Sequence, residues 1–262
     1  MVYRSYITDE GKEPFYRLGY NSAITTSSDP EDVWTKGGTY TFPLTTTPVN
    51  YIVSSDAADY GSNDPLNVDN TTFNSTGARS VYIKGLDTEY NEIEEVVFLK
   101  GTTGVHLVNS YFRINECRVV STGTGLNNAG NISLQYWNGS SASGTYAYIT
   151  ATQNAILSSI YTVPRGKSLY IEKVEVNPTD ISAVTSTSAV NYSINIGETG
   201  ILYELYRNVG SSYLNIDAPQ TTFMHPILIP SKVDVKMIAI TVGATMGVKS
   251  TMEGYLLSES GK

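Results

Sequence analysis

Ala78-Arg79-Ser80-Val81-Tyr82-Ile83-Lys84-Gly85-Leu86, followed after Asp87-Thr88-Glu89-Tyr90-Asn91 by Glu92-Ile93-Glu94-Glu95-Val96-Val97-Phe98-Leu99, is the stretch whose reading decides the fold. Val81 and Ile83 stand two residues apart, so an extended backbone places both on one face. The polar segment Asp87 to Asn91 between the two runs suits a hairpin loop. The pair therefore reads as two antiparallel strands.

The same grammar extends in both directions. Downstream, Gly101-Thr102-Thr103-Gly104 turns the chain into Val105 to Val108 and then into Tyr111 to Val120. Ile132-Ser133-Leu134-Gln135-Tyr136 alternates, and Tyr146 to Ile149 forms a further strand. Upstream, Tyr40-Thr41-Phe42-Pro43-Leu44 and Tyr51-Ile52-Val53 alternate, with a long polar connection from Ser54 to Gly77. A second series starts near Ile156: Ile160 to Val163, the turn Pro164-Arg165-Gly166-Lys167, and a return strand carrying Leu169, Ile171, Val174 and Val176. Tyr192 to Ile196, Ile201 to Arg207, Val233 to Val242 and Glu253 to Leu257 complete it. The apolar positions change parity between Ile171 and Val174, and again between Met237 and Ile238, which predicts a β-bulge at each place.

Short strands at roughly 8–12-residue spacing indicate a sandwich or barrel, and no long segment carries a helical stripe. The expected architecture is all-β: two β-sandwich, jelly-roll-like domains, 41–152 and 153–262, preceded by an N-terminal arm, 1–40. Within the arm Phe15, Tyr16, Leu18, Tyr20 and Ile24 are apolar anchors without a period, and Trp34 follows them. They are expected to pack on the chain's own core or on a neighbouring subunit. One short helical turn is expected after Asp29, with Pro30 at its first position, Glu31 and Asp32 favoured by the helix dipole, and Gly37-Gly38 stopping it.

Composition points the same way. Charged residues are 16% of the 262, against roughly 25% in an ordinary soluble domain. Ser, Thr, Asn and Gly fill the gap along with 20 Tyr, as on sheet surfaces and turns. A net charge of -8 argues against general nucleic-acid binding. No apolar run approaches the ~20 residues of a membrane span, and Met1 to Glu10 lacks the apolar stretch of a signal peptide. No membrane partner is expected, and the protein should stay in the cytoplasm unless it leaves within a particle.

Candidate chemistry is sparse. The single cysteine, Cys117, alternates with Val119 and reads as a buried small hydrophobe; neither His106 nor His225 lies in a nucleophile motif that would activate it. Asp56, Asp59, Asp64 and Asp69, with Asn63, Asn67 and Asn70, make an oxygen-rich loop of the kind that holds Ca²⁺, although no Glu stands at an EF-hand closing position. Asp and Asn are also ordinary turn residues, and no metal is assigned. Glu92, Glu94 and Glu95 could supply a carboxylate pair, but alternation sends Glu94 to the face opposite Ile93. No catalytic residue and no cofactor is assigned, and the chain is expected not to be an enzyme. Tyr136 and Trp137, at the start of an Asn138-Gly139-Ser140-Ser141 loop, are the best candidate for a loop contact, whether with a partner chain or a sugar ring.

Several strings resemble a family of tailed-bacteriophage virion proteins common in phages of aquatic bacteria. They are Arg17-Leu18-Gly19-Tyr20-Asn21-Ser22-Ala23-Ile24, Asp32-Val33-Trp34 with Gly37-Gly38-Thr39-Tyr40, Thr76-Gly77-Ala78-Arg79-Ser80-Val81, Gly85-Leu86-Asp87, Phe112-Arg113-Ile114, Asn128-Ala129-Gly130-Asn131-Ile132 and Ile160 to Lys167. The likeness runs from the arm to the start of the second series and is faint beyond Asn177. It implies a structural protein located in the virion and assembled in the host cytoplasm. An acidic protein with an anchored arm suits a capsid decoration or cement subunit, a homo-oligomer (trimer or dimer) contacting the major capsid protein or neighbouring virion proteins. The alternatives are a neck or tail component (adaptor, tail-tube or fibre-base protein) and a host-surface carbohydrate-binding module.

Overall fold

The computed structural model describes residues 11–26, 29–61, 75–179, 189–197, 201–208 and 220–259. They form sixteen strands: β1 (Lys12–Ile24), β2 (Glu31–Asp32), β3 (Val49–Ser54), β4 (Ala78–Leu86), β5 (Glu92–Phe98), β6 (Val105–Tyr111), β7 (Arg113–Thr122), β8 (Ile132–Trp137), β9 (Ala142–Ile149), β10 (Ile160–Thr162), β11 (Lys167–Pro178), β12 (Ala189–Ile196), β13 (Ile201–Asn208), β14 (Gln220–Ile229), β15 (Asp234–Val242) and β16 (Met246–Ser258). The protein is all-β. No helix among the described residues is long and apolar enough to cross a membrane.

The strands assemble into four sheets, ordered β1-β16-β11-β14, β10-β15-β12-β13 with β2 also on β15, β6-β3-β8-β9, and β5-β4-β7. The first two enclose one core. Phe15, Leu169, Ile171, Ile229, Val248 and Met252 come from one sheet; Tyr161, Val190, Ile194, Val235 and Met237 face them from the other. The last two sheets enclose a second core, where Ile52, Tyr111, Leu134 and Ile149 meet Val81, Ile83, Val97 and Cys117. Each is a β-sandwich in which inward residues of facing sheets supply the apolar burial. The β4–β5 hairpin forms as its sequence predicts: Leu86 pairs with Glu92, and the Asp87 side chain accepts the backbone N–H of Glu89 and Asn91 at 2.8 and 2.9 Å.

The segment expected to be an arm is instead a strand of the chain's own sheet. β1 runs antiparallel to β16 from Lys12 opposite Leu257 to Ile24 opposite Met246. Phe15, Gly19 and Asn21 point inward and are buried, while Tyr16 is exposed on the outside. The inward set is thus one aromatic among polar and small residues, and the outward set Tyr16, Leu18 and Tyr20 is the more apolar one. Hydrophobic alternation is inverted, which hides the strand from a pattern argument. The inward position 19 needs glycine, because a Cβ there would overlap the Ser159 side chain and the Val33 carbonyl. The chain contributes β1 and β2 to the first core, builds the second core between residues 49 and 149, and returns at β10.

The helical turn is also corrected. Glu31 and Asp32 are extended and pair with Ala239 and Ile238 of β15. Both acids are used by donors outside a first helical turn. Glu31 accepts the N–H of Thr25 at 2.9 Å and of Gly38 at 3.0 Å; Asp32 accepts the N–H of Tyr40 at 2.6 Å and pairs with Lys236 at 2.9 Å. Of the two expected bulges, the register does shift between Ile171 and Lys173. β15 instead keeps unbroken register with β12 through Met237 and Ile238. The parity change there arises because β15 is buried on both faces, Val235, Met237 and Ala239 inside and Ile238 outside.

Candidate interaction surfaces

The site residues expected from sequence fall into three places. Phe15 and Ile24 are spent in the first core, and Trp34 packs with Tyr40 and Ile160 between the two sandwiches. These three pack on the chain's own core, one of the two packings expected for them. Tyr16 is 58% exposed, and Leu18 and Tyr20 are partly exposed on the same outer face of β1.

Trp137 occupies the third place and is the last residue of β8 rather than a loop tip. Asn50 of β3 fixes its backbone, accepting the Trp137 N–H at 2.7 Å and donating to its carbonyl at 3.2 Å. The indole stacks on Tyr51, with centroids 4.9 Å apart and planes inclined by 26°. The exposed His106 ring stands edge-on to both, 5.3 Å from Tyr51 and 5.8 Å from Trp137. A Cβ on Gly104 would overlap the Tyr51 ring, so that glycine makes room for it. The result is a partly exposed three-ring platform on the outer face of the β6-β3-β8-β9 sheet. Tyr136, the preceding residue of β8, is half-buried and makes no ring contact with the platform among the described residues. Sequence reasoning found Trp137 but missed Tyr51 and His106, whose proximity follows only from the pairing of β3 with β6 and β8.

The acidic candidates are structural groups. Asp59 is fully buried, and its carboxylate accepts the backbone N–H of Ala78 (2.7 Å), Ala129 (2.7 Å) and Gly130 (2.9 Å) and the Ser54 hydroxyl. It ties three remote segments together and has no lone pair directed at solvent. Asp64, Asp69, Asn63, Asn67 and Asn70 lie outside the described residues, and no metal-ligating cluster occurs among the described ones. The three glutamates diverge. Glu92 pairs with Lys84 at 2.8 Å and Lys167 at 3.0 Å, Glu94 accepts the Tyr82 hydroxyl, and Glu95 accepts the N–H of Val108 and Asn109 at 3.0 Å each. Burial pushes the Cys117 thiol well above its ordinary value, against ionisation.

The most constrained polar cluster lies where the sandwiches meet. Arg113 of β7 donates through Nε and Nη2 to the two oxygens of Asp234 of β15, at 2.9 Å each, and through Nη1 to the carbonyls of Pro43 and Phe112 at 2.9 and 3.0 Å. Its plane rests on Phe112 and Phe42, 3.8 and 4.7 Å from the ring centroids. Thr162 adds a hydroxyl to Asp234 and exchanges two backbone hydrogen bonds with the Asn115 amide. A neighbouring cleft of about 200 Å³ is lined by Phe42, Asn195, Gly197, Asp234 and Lys236, and both charged groups are already paired. This cluster holds two bodies in register; it presents no reactive group.

No family model matches the chain, and no curated protein matches it in sequence. Among solved structures, it is similar to the infectious bursal disease virus Gt strain at 12% identity, covering 98% of this chain and 74% of that one, with a TM-score of 0.24. The infectious bursal disease virus VP2 subviral particle gives 10% identity, 95% and 73% coverage, and a TM-score of 0.22. Similarity at this level carries no argument about the protein.

Proposed function

We propose that the chain is a structural protein of a virus particle. One observation carries this reading. In the first sandwich β1 pairs with β16, β10 with β15, β11 with β14 and β12 with β13, in the sheet orders β1-β16-β11-β14 and β10-β15-β12-β13. Four nested pairs split in this way over two sheets correspond to the winding of an eight-stranded jelly roll, an architecture shared by capsid subunits, lectins and cupins. Because one fold serves many functions, support must also come from surfaces. Tyr16, Leu18 and Tyr20 form an outward apolar row on an edge strand, suited to contact with a neighbour.

Within this reading the two cores are two domains, and the protein is a non-enzymatic phage component, foremost a capsid decoration or cement subunit. It acts as a homo-oligomer against the major capsid protein. Counting copies per purified particle by gel densitometry tests this: a count in the hundreds supports a shell position, a dozen or fewer places it at the neck or tail, and absence from particles sinks the proposal.

The three-ring platform favours one second reading, a glycan contact, since stacked aromatic rings on an outer sheet face offer apolar faces to a sugar ring. Trp137→Ala should abolish a glycan-array signal given by the wild type. A signal unchanged by the substitution, or none from the wild type, removes this reading.

A further inference from the structure

A cleft of about 240 Å³ lies between β1 of the first sandwich and β4, β5 and β7 of the second. Arg17, Lys84, Glu92, Glu116 and Tyr161 are among its lining residues. Its ions cancel almost completely. Lys84 and Lys167 satisfy Glu92, and Lys167 also holds Glu13 at 2.9 Å. Glu116, the carboxylate that acts electrostatically on Arg17, is engaged by Arg118 at 2.8 Å. The Arg17 side chain has no ion pair or hydrogen bond among the described residues, and its Nε is sealed from solvent with no acceptor. The guanidinium is instead held over the Tyr161 ring, 4.8 Å from the centroid.

The side chain is half-buried, and a cation fixed on a ring with one N–H sealed from water and unsatisfied has lost part of its solvation without a replacement. Burial accordingly weighs against its charged form. The missing partner is one negative charge with two acceptor oxygens, the geometry that a guanidinium fork matches best. The cleft is smaller than the roughly 300–1,000 Å³ of small-molecule sites, and so suits a single side chain.

We propose that Arg17 is a receptor for one carboxylate of a peptide segment, supplied by an acidic side chain of a protein docked along β1. The inference stands whether or not the protein belongs to a virion, because it rests on the cleft alone. The test is titration of the ¹⁵N-labelled full chain, monitored at the arginine Nε–H signals. The probes are acetyl-Gly-Glu-Gly-amide, its Gln counterpart, sodium acetate and inorganic phosphate. The Glu peptide should shift the Arg17 signal saturably and the Gln peptide should not. Arg17→Gln should remove the response with the circular dichroism spectrum intact. If that variant does not fold, Arg17→Lys, which keeps the charge without the fork, should bind roughly tenfold more weakly. Equal responses to the Glu and Gln peptides, affinity unchanged in Arg17→Lys, or saturation by acetate or phosphate with none by the peptide would each overturn the assignment.

Discussion

Asp59 shows what a single buried side chain does in a fold built of short strands. Its four donors come from Ser54, Ala78, Ala129 and Gly130, so one carboxylate closes the ends of three loops. Removing it strands several buried N–H groups at once, each costing about 1–3 kcal/mol when unsatisfied. Asp59→Ala should destabilise the protein by about 3 kcal/mol or more in urea unfolding, whereas Asp56→Ala at the exposed neighbour should stay within about 1 kcal/mol. None of this was legible beforehand. The acid was visible, but its acceptor role depends on residues far along the chain, and the sequence alone left it equally suited to a cation or a turn.

At the scale of elements, strands with local partners were legible and strands with remote partners were not. β4 and β5 carry their own turn and their own alternation, so the hairpin could be read directly. β1 has its partner at the far end of the chain and its apolar residues on the wrong face for a core strand. The inversion gives an opposed pair of expectations. Phe15→Ala opens the first core and should cost about 3–5 kcal/mol by thermal or urea unfolding. Tyr16→Ser should leave stability within about 1 kcal/mol, since the ring is 58% exposed, yet reduce incorporation into particles if the outward row is a contact. Normal incorporation of Tyr16→Ser combined with Leu18→Ser would remove that row from consideration. Deleting the whole segment cannot ask the same question, because it takes away a core strand.

At the scale of the whole molecule, polar chemistry joins the two sandwiches, notably at an inner and an outer ionic joint. Arg113 and Asp234 form a buried, two-pronged pair, and breaking it by Arg113→Ala should cost about 3–5 kcal/mol and uncouple the unfolding of the two cores. The outer point is pH-dependent. Burial raises the Glu92 carboxyl, but its bonds to Lys84 and Lys167 outweigh this and hold it below its usual value. A depressed carboxylate contributes stability above its unfolded value, near 4.3, and loses that contribution as pH falls through the folded one. The melting-temperature difference between wild type and Glu92→Gln should therefore be present at pH 7 and shrink as pH falls below the unfolded value, disappearing once pH is below the folded one. A difference that persists at low pH would show that the link is not ionic. The joint was as hidden as the Asp59 clamp, since Arg113 and Asp234 each look like an ordinary strand charge until their sheets are placed.

The pairing of β1 with β16 also has a consequence in time. A ribosome makes β1 long before β16, and the long closure between Lys12 and Leu257 is entropically expensive and slow to find. During synthesis β1 is left with its hydrogen-bonding edges unanswered while the strands from β3 to β9 already have all their partners in hand. The same long closure delays β1 in refolding, so pulse-labelled hydrogen exchange on refolding protein should show amide protection in β4 and β7 well before β1. A lone early strand is an invitation to pair with a sister chain, so the order of manufacture itself sets the hazard of mispairing between copies.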